Sequence, residues 1–261
     1  MSASLEPHFT PAFFQFLRQL AKHNSPEWFK DHKAEYEQHV KGPMLRFIAD
    51  LRPRIAKIST HIEVDPKLVG GSMQRMNRDT RFSKDKSPYK TSVGAMFGHD
   101  VGSGKELKLG YHLSLAPDKG GEREAGKASG TKAYVGIWEP DAKALDAIRT
   151  RIMVKPDEWK KAVGARFAAS HTFEGESLKR PPKVGDCAVD PSHPLIDELK
   201  RKSHAAAAAF DEKTVCAPDF LDEYVEAVKA GSPLMAFLCG ALKLPYEMGG
   251  PSLPTPPTTP A

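Results

Sequence analysis

The sequence predicts an α+β protein in which N-terminal helices come first, a small antiparallel sheet follows in the middle, and C-terminal helices pack on that sheet. Three observations predict it. Apolar residues recur at helical spacing in the first third, three central stretches alternate like strands, and helix-start signals return after residue 139. We interpret residues 9–244 as a single α+β domain. Residues 1–8 are expected to be a flexible N-terminus and 245–261 a disordered Pro/Thr-rich tail.

Helix-start signals mark the N-terminal third. A hydroxyl residue followed by proline, typical of the first turn of a helix, occurs at residues 10–11 and 25–26. Four apolar residues between 13 and 20 then form one stripe. Gly42 and Pro43 are expected to end the second helix. A third helix is expected over residues 45–55, which Pro53 is expected to kink or split.

Three short strands are expected at residues 91–97, 110–116 and 133–138, where apolar and polar residues alternate. Because these strands lie close together in the sequence, antiparallel pairing is the most economical arrangement. Further helices are expected to start at residues 140–141 and 156–157. A short helix is then predicted at 195–202, and two closing helices at 218–229 and 233–242.

Composition limits the class of protein. The net charge is +5 and the pI about 9.0, so the chain is mildly basic. The sequence contains no stretch of eighteen apolar residues, so no membrane span is predicted. The first ten residues do not resemble a signal peptide. The three cysteines, Cys187, Cys216 and Cys239, form no CxxC pair, which argues against a disulfide framework or a zinc ribbon. We therefore expect a cytoplasmic protein with no membrane partner.

The densest charge lies in the stretch QRMNRDTRFSKDKSPYKTS, residues 74–92. This stretch contains six cationic and two acidic side chains, so its formal charge is six minus two, or +4. Arginine presents a planar fork of donors that matches phosphate oxygens, and lysine adds a compact charge. On a helical turn, arginines spaced by three would share one face, whereas in an extended chain the middle one would point away. The six cations are Arg75, Arg78, Arg81, Lys84, Lys86 and Lys90, and the acids are Asp79 and Asp85.

This stretch also carries a family resemblance. The run Arg-x-x-Arg-Asp-x-Arg-Phe from Arg75, followed by Asp-Lys-x-Pro-Tyr-Lys from Asp85, resembles the signature of a bacterial family known as domain of unknown function 2461. The segment from Gly136 to Pro140 and the His-Pro pair at His193 are similar to that family as well. The resemblance covers about residues 9–242. It implies no particular activity, since the family's name states that none is established.

From these residues we expect an anion site for a phosphate-containing ligand or nucleic acid, with Asp79 and Asp85 orienting the cations. Three alternatives remain. In the first, the protein is an enzyme acting on a phosphorylated small molecule or nucleic acid, with His112 or Asp85 as acid or base. In the second it is a nucleic-acid binding module. In the third, the charged segment is a structural ion-pair network without a ligand. No metal-ligand spacing stands out, and no cofactor follows from the sequence. The predicted ligand-binding residues are Arg75, Arg78, Asp79, Arg81, Lys86, Tyr89, Lys90 and Trp138.

Overall fold

The computed structural model describes residues 6–67, 69–81, 84–100, 107–118 and 130–247. The N-terminal part is helical, as predicted. Gly42 and Pro43 begin a helix instead of ending one, because proline is tolerated in a first helical turn and a π-helical segment runs directly into it. Pro53 lies inside the same helix without splitting it. The elements are α1 (Pro11–Lys22), α2 (Pro26–Asp31), α3 (Lys33–Tyr36), the π-helical segment Glu37–Lys41 and α4 (Gly42–Ala56).

A five-stranded antiparallel sheet occupies the middle of the fold, in the order β1-β2-β3-β7-β4. The three predicted strands and their antiparallel pairing are confirmed. Strands β4 and β7 were not predicted, and β5 with β6 forms a separate two-stranded sheet. The strands are β1 (Val93–Gly98), β2 (Leu109–Leu115), β3 (Thr131–Ile137), β4 (Thr172–Glu174), β5 (Lys183–Val184), β6 (Cys187–Ala188) and β7 (His204–Phe210).

The prediction of two closing helices is wrong, because one continuous helix contains Pro233. Its buried side, including Leu234 and Met235, continues through the proline, so packing offsets the helix-breaking cost. Gly231 allows the helix to approach β3 closely, since a Cβ there would lie 2.8 Å from a methyl of Val135. The helices after β3 are α5 (Ala142–Val154), α6 (Pro156–Ala162), α7 (Ala165–Ala168), α8 (Ile196–Lys200), α9 (Glu212–Val215) and α10 (Phe220–Leu242).

Helix α10 covers one face of the sheet and forms the centre of the core. Inward residues of neighbouring strands, such as Phe97, Tyr111 and Val135, are at most 1% exposed. Among the described residues, α10 is the one helix long and apolar enough to cross a bilayer by length and composition. However, 61% of its apolar window is buried inside the protein, as in the core helix of a soluble domain.

The other face of the sheet is lined by small and polar residues. One row across four strands has almost no side chains: Gly98 pairs with Gly110, Gly110 with Gly136, and Gly136 with Ala205. The neighbouring row contains Met96, His112 and Tyr134. This bare strip of backbone, which we call the glycine row, leaves space above the sheet that helix α10 does not occupy.

The outer edge of β1 is paired with an extended segment that precedes it. The amide of Met96 donates to the carbonyl of Ser72 at 2.9 Å, and the amide of Gln74 donates to the carbonyl of Gly94 at 2.8 Å. Met73 lies opposite Ala95 in the same arrangement. The charged stretch therefore begins at a fixed position on the sheet edge.

The chain ends, predicted to be flexible at 1–8 and disordered at 245–261, lie largely outside the described residues. Of the C-terminal stretch, Pro245, Tyr246 and Glu247 are described. The Tyr246 hydroxyl lies 2.7 Å from that of Tyr111 and 2.9 Å from that of Ser232. These contacts attach the chain after α10 to the core.

Candidate functional site

A wide cleft of about 2120 Å³ lies over the glycine row. Its floor is the open face of the sheet, and one wall is the charged stretch beside β1. The turn after α4 and the segment around Asp65 complete the other side. Among the described residues of its lining, cationic side chains outnumber acids seven to four. They are Arg52, Lys67, Arg75, Arg78, Arg81, Lys90 and Lys108 against Glu63, Asp65, Asp79 and Asp100.

The charged stretch is extended where it passes the sheet, not helical. Asn77 lies opposite Tyr89, and the backbone of Arg78 donates to the carbonyl of Pro88 at 2.8 Å. The amide of Lys90 donates to the carbonyl of Met76 at 2.8 Å. The two arms form a hairpin-like pair, so the arginines do not converge through helical spacing. Arg78 and Lys90 come together because they lie on the two paired arms.

Asn24, in the turn between α1 and α2, fixes the second arm. Its side-chain amide donates to the carbonyl of Tyr89 and its side-chain oxygen accepts from the Tyr89 amide, both at 3.0 Å. The Tyr89 ring stacks on Phe29 with centroids 4.3 Å apart. Tyr89 therefore anchors the arm to the N-terminal helices and does not line the cleft.

The structure brings most of the predicted residues to the cleft and leaves three away from it. Lys86, Tyr89 and Asp85 are not part of the lining. The ammonium of Lys86 donates to the carbonyl of Thr80 at 2.8 Å, within the loop itself. The predicted residues that do line the cleft are Arg75, Arg78, Asp79, Arg81, Lys90, His112 and Trp138.

Both acids of the stretch pair with arginines. Arg81 donates to Asp79 through Nε at 3.0 Å and Nη2 at 2.7 Å, and this hydrogen bonding lowers the pKa of Asp79 to about 2. Nη2 of Arg78 lies 3.1 Å from Oδ2 of Asp85. The Ser87 amide, and then the charge of Arg78, lower the pKa of Asp85. Within the described chain, no acid lies within ion-pair distance of Lys90.

Arg78, Lys90 and His112 form the electrostatic centre of the cleft. Burial, and then the charge of Arg78, lower the pKa of Lys90. Burial, and then the charge of Lys90, lower the pKa of His112 to about 4. In the described part of the chain, Nε of Arg78 and Nε2 of His112 are buried without a hydrogen-bond partner. The like charges of Arg78 and Lys90 repel each other beside a neutral, buried imidazole, and Asp85 compensates only the first of them. An anion would stabilise the charge of Lys90 in such an environment.

His112 is held in place by the strand pattern. It lies on the open face of β2, opposite Met96 on one side and Tyr134 on the other. Gly94 makes room for it, since a Cβ at Gly94 would lie 2.8 Å from Nε2 of His112 and 2.8 Å from the side-chain oxygen of Gln74. A side chain at position 94 would thus close this part of the cleft.

Trp138, at the end of β3, lines the opposite part of the cleft and is 37% exposed. Its amide donates to the carbonyl of Lys108 at 3.1 Å, which continues the strand pairing by one residue. An exposed indole beside a groove with a positive wall is a surface on which a planar base or ring can stack.

Two parts of the site were missed by reasoning from the sequence. The glycine row depends on strand register, which the spacing of glycines along the chain does not reveal. The second is a group formed by His61, His99 and Asp100, whose ligand atoms lie within 4.8 Å of one another. His61 and His99 are far apart in the sequence and match no short motif, so no signal in the sequence identified them.

Comparison with known proteins adds one finding. Residues 12–237 match the family described as conserved hypothetical protein (DUF2461). No curated protein and no solved structure matches the chain. The family description names no substrate or reaction, so any functional conclusion depends on the geometry of the cleft.

Proposed function

The chain belongs to the DUF2461 family, and from the chemistry of its cleft we propose that it binds a phosphate-bearing ligand through Arg78, Lys90 and His112. The observation that carries the proposal is the convergence of these three nitrogen-bearing side chains on the open face of the sheet. Two buried nitrogens, one on Arg78 and one on His112, have no hydrogen-bond partner within the described chain. Buried polar groups are normally satisfied, so unsatisfied nitrogens on two residues that line a cleft support a ligand there.

Phosphate suits this arrangement better than a neutral ligand. A bound phosphate offers several acceptor oxygens to a guanidinium fork and to an ammonium at once. It also removes the repulsion between Arg78 and Lys90. Hydrogen bonds to a charged group contribute about 1.5–3 kcal/mol each, more than neutral ones.

The size of the cleft favours an extended ligand, and this observation supports a nucleic-acid strand as the second candidate. Small-molecule pockets typically enclose about 300–1,000 Å³, whereas this cleft holds about 2120 Å³. Its floor is open backbone, its wall is cationic, and Trp138 offers a stacking surface. Sequence-independent binders of single strands combine these features.

The enzymatic alternative has less support from the same geometry. A general acid or base works best with a pKa near the working pH, and the pKa of His112 is lowered to about 4. Asp85 accepts from the amide of Ser87 at 2.9 Å, pairs with Arg78 and lies outside the cleft lining. Both residues fit a supporting role in binding better than a role in proton transfer.

The structural alternative accounts for only part of the charge. The Arg81–Asp79 pair is more than half exposed on both sides, and exposed pairs contribute about 0–1 kcal/mol. Such pairs order the loop but leave Lys90 and Arg75 without an acidic partner among the described residues. A structural network alone therefore leaves the positive charge of the cleft unexplained.

We expect Arg78→Gln and Lys90→Gln to weaken binding of inorganic pyrophosphate and of a labelled single-stranded oligonucleotide by roughly 10- to 100-fold each. Lys86→Gln removes the same charge from the same stretch but outside the cleft, and it should leave the affinity nearly unchanged. Fluorescence anisotropy and calorimetry on the purified full chain measure both probes. Equal affinity for wild type and Arg78→Gln would exclude this site.

The salt dependence separates the two ligand classes. A strand that contacts several phosphates loses affinity with a slope of about −0.7 per contact in a plot of log K against log salt. A steep slope for the oligonucleotide, with weak binding of pyrophosphate, would identify a nucleic-acid strand as the ligand. Tight binding of pyrophosphate with a shallow slope for the oligonucleotide would identify a small phosphorylated molecule.

A further inference from the structure

We propose that His61, His99 and Asp100 bind a divalent first-row transition metal at the rim of the cleft. Nδ1 of His61 lies 3.1 Å from one carboxylate oxygen of Asp100, and Nδ1 of His99 lies 3.3 Å from the other. Ligand atoms around a tetrahedral Zn²⁺ with bonds of 2.0–2.1 Å are about 3.3 Å apart. This site uses none of the residues that carry the proposed anion site.

The hydrogen bonding of His99 supports a cation at this position. Its Nε2 lies 2.7 Å from the carbonyl oxygen of Pro245. A carbonyl only accepts, so Nε2 donates to it, and Nδ1 is the ring nitrogen that remains to bind a metal. Nδ1 lies 3.3 Å from a carboxylate oxygen of Asp100, which matches the separation of two donor atoms on one tetrahedral metal ion.

The Pro245 contact is also the arrangement found around many metal-binding histidines. A ligating histidine usually donates its other ring N–H to a carbonyl or carboxylate, which fixes the tautomer and the orientation of the ring. His99 is 1% exposed, so its ring is held firmly by the surrounding core. The chain that follows α10 thus supplies the supporting contact for a ligand at the end of β1.

The backbone fixes the other two ligands relative to His99. Ile62 pairs with His99 across the sheet edge, and the amide of Asp100 donates to the carbonyl of His61 at 2.9 Å. The two imidazole rings are parallel within 5°, with centroids 5.7 Å apart. Ligands preset on paired backbone segments need little reorganisation when a metal binds.

The donor set determines the class of metal. Two imidazole nitrogens and one carboxylate suit Zn²⁺, Fe²⁺ or Co²⁺, whereas Mg²⁺ and Ca²⁺ prefer oxygen ligands alone. Three protein ligands leave at least one coordination position open, as in catalytic rather than structural zinc sites. Asp100 lines the cleft, so the metal would lie at its edge.

Metal titration of the full chain tests this proposal. After treatment with a chelator and dialysis, we expect the protein to bind one equivalent of Zn²⁺ by calorimetry. At a hundred times the dissociation constant, Zn²⁺ should raise Tm by about 5–10 °C. We expect His61→Gln and Asp100→Asn each to weaken binding at least tenfold. Both side chains are partly exposed, so these variants should fold, which melting in the presence of chelator verifies.

Two control variants address other thiol and imidazole groups on the surface. Cys187 and His23 are exposed, and Cys187→Ser and His23→Gln should bind Zn²⁺ like the wild type. The proposal fails if no equivalent is bound, or if His61→Gln and Asp100→Asn bind as tightly as the wild type. Loss of binding in Cys187→Ser alone would assign the metal to that thiol. Equal affinity for Mg²⁺ and Zn²⁺ would exclude the transition-metal class.

Discussion

Lowering the pH from 7 to 5 is expected to reduce the Tm of this protein by roughly 15 °C. The cause is burial of three imidazole groups. Burial lowers the pKa of His204 to about 3 and the pKa values of His171 and His112 to about 4. His204 is fully buried, and His171 is 6% exposed.

The direction follows from proton binding in the two states. An unfolded histidine titrates near pH 6.5, so between pH 6.5 and 4 the unfolded chain binds protons that the folded chain excludes. The free energy of unfolding therefore falls as the pH drops through this window. By pH 5 each of these three histidines costs about 2 kcal/mol relative to pH 7. A domain of this size loses about 2–4 °C of Tm per kcal/mol.

Calorimetric melting of the wild type and of His204→Leu at pH 7 and pH 5 measures this effect. The variant removes one of three titrating groups, so its Tm should fall by about two thirds as much between the two pH values, whatever its Tm at pH 7. His23→Gln changes an exposed histidine and should keep the full pH dependence. An unchanged pH dependence in His204→Leu would show that His204 is not a source of the acid sensitivity.

Gly136→Ala is expected to destabilise the protein by about 3–5 kcal/mol. Gly136 has φ +120°, and a Cβ there would lie 2.0 Å from the carbonyl oxygen of His204 on the neighbouring strand. That oxygen belongs to the backbone, so it moves only if the pairing of β3 with β7 is disturbed.

Gly185→Ala is the matched control. Gly185 also has positive φ, +56°, but nothing lies within 4 Å of its added Cβ. This variant should lose only about 1 kcal/mol, the cost of a left-handed conformation. Urea unfolding of the two variants measures the difference. Similar losses in both would mean that backbone strain, not the contact with β7, dominates at Gly136.

The predictable part of the fold was the part with local signals. Proline after a hydroxyl residue marked the starts of α1 and α2, and alternation marked β1 to β3. Strand β7 reads HAAAAAF, and alanine favours helices and is uncommon in strands. It forms a strand because it pairs with β3 on one side and β4 on the other. The same tertiary burial keeps α10 continuous through Pro233, where local preference predicted a break.

For the site, composition identified the charged stretch but not its geometry. Helical spacing suggested that three arginines converge, whereas the extended arms bring Arg78 toward Lys90. Tyr89 is predicted from its residue type to contact the ligand. In the structure its backbone is hydrogen-bonded to Asn24 and its ring stacks on Phe29, so it anchors the second arm instead. His61 meets His99 and Asp100 through backbone pairing between two segments that are distant in the sequence, which no local pattern encodes.

The extended segment from Ser72 to Gln74, which leads into the cationic arms, has a second consequence, for solubility. It occupies the outer edge of β1, while the opposite edge of the sheet is formed by β4, only three residues long. Exposed strand edges template association between chains, and proteins protect them by covering or shortening them. A substitution that detaches this segment would therefore uncover β1 and promote aggregation, so the proposed ligand contact and protection against self-association depend on connected stretches of backbone.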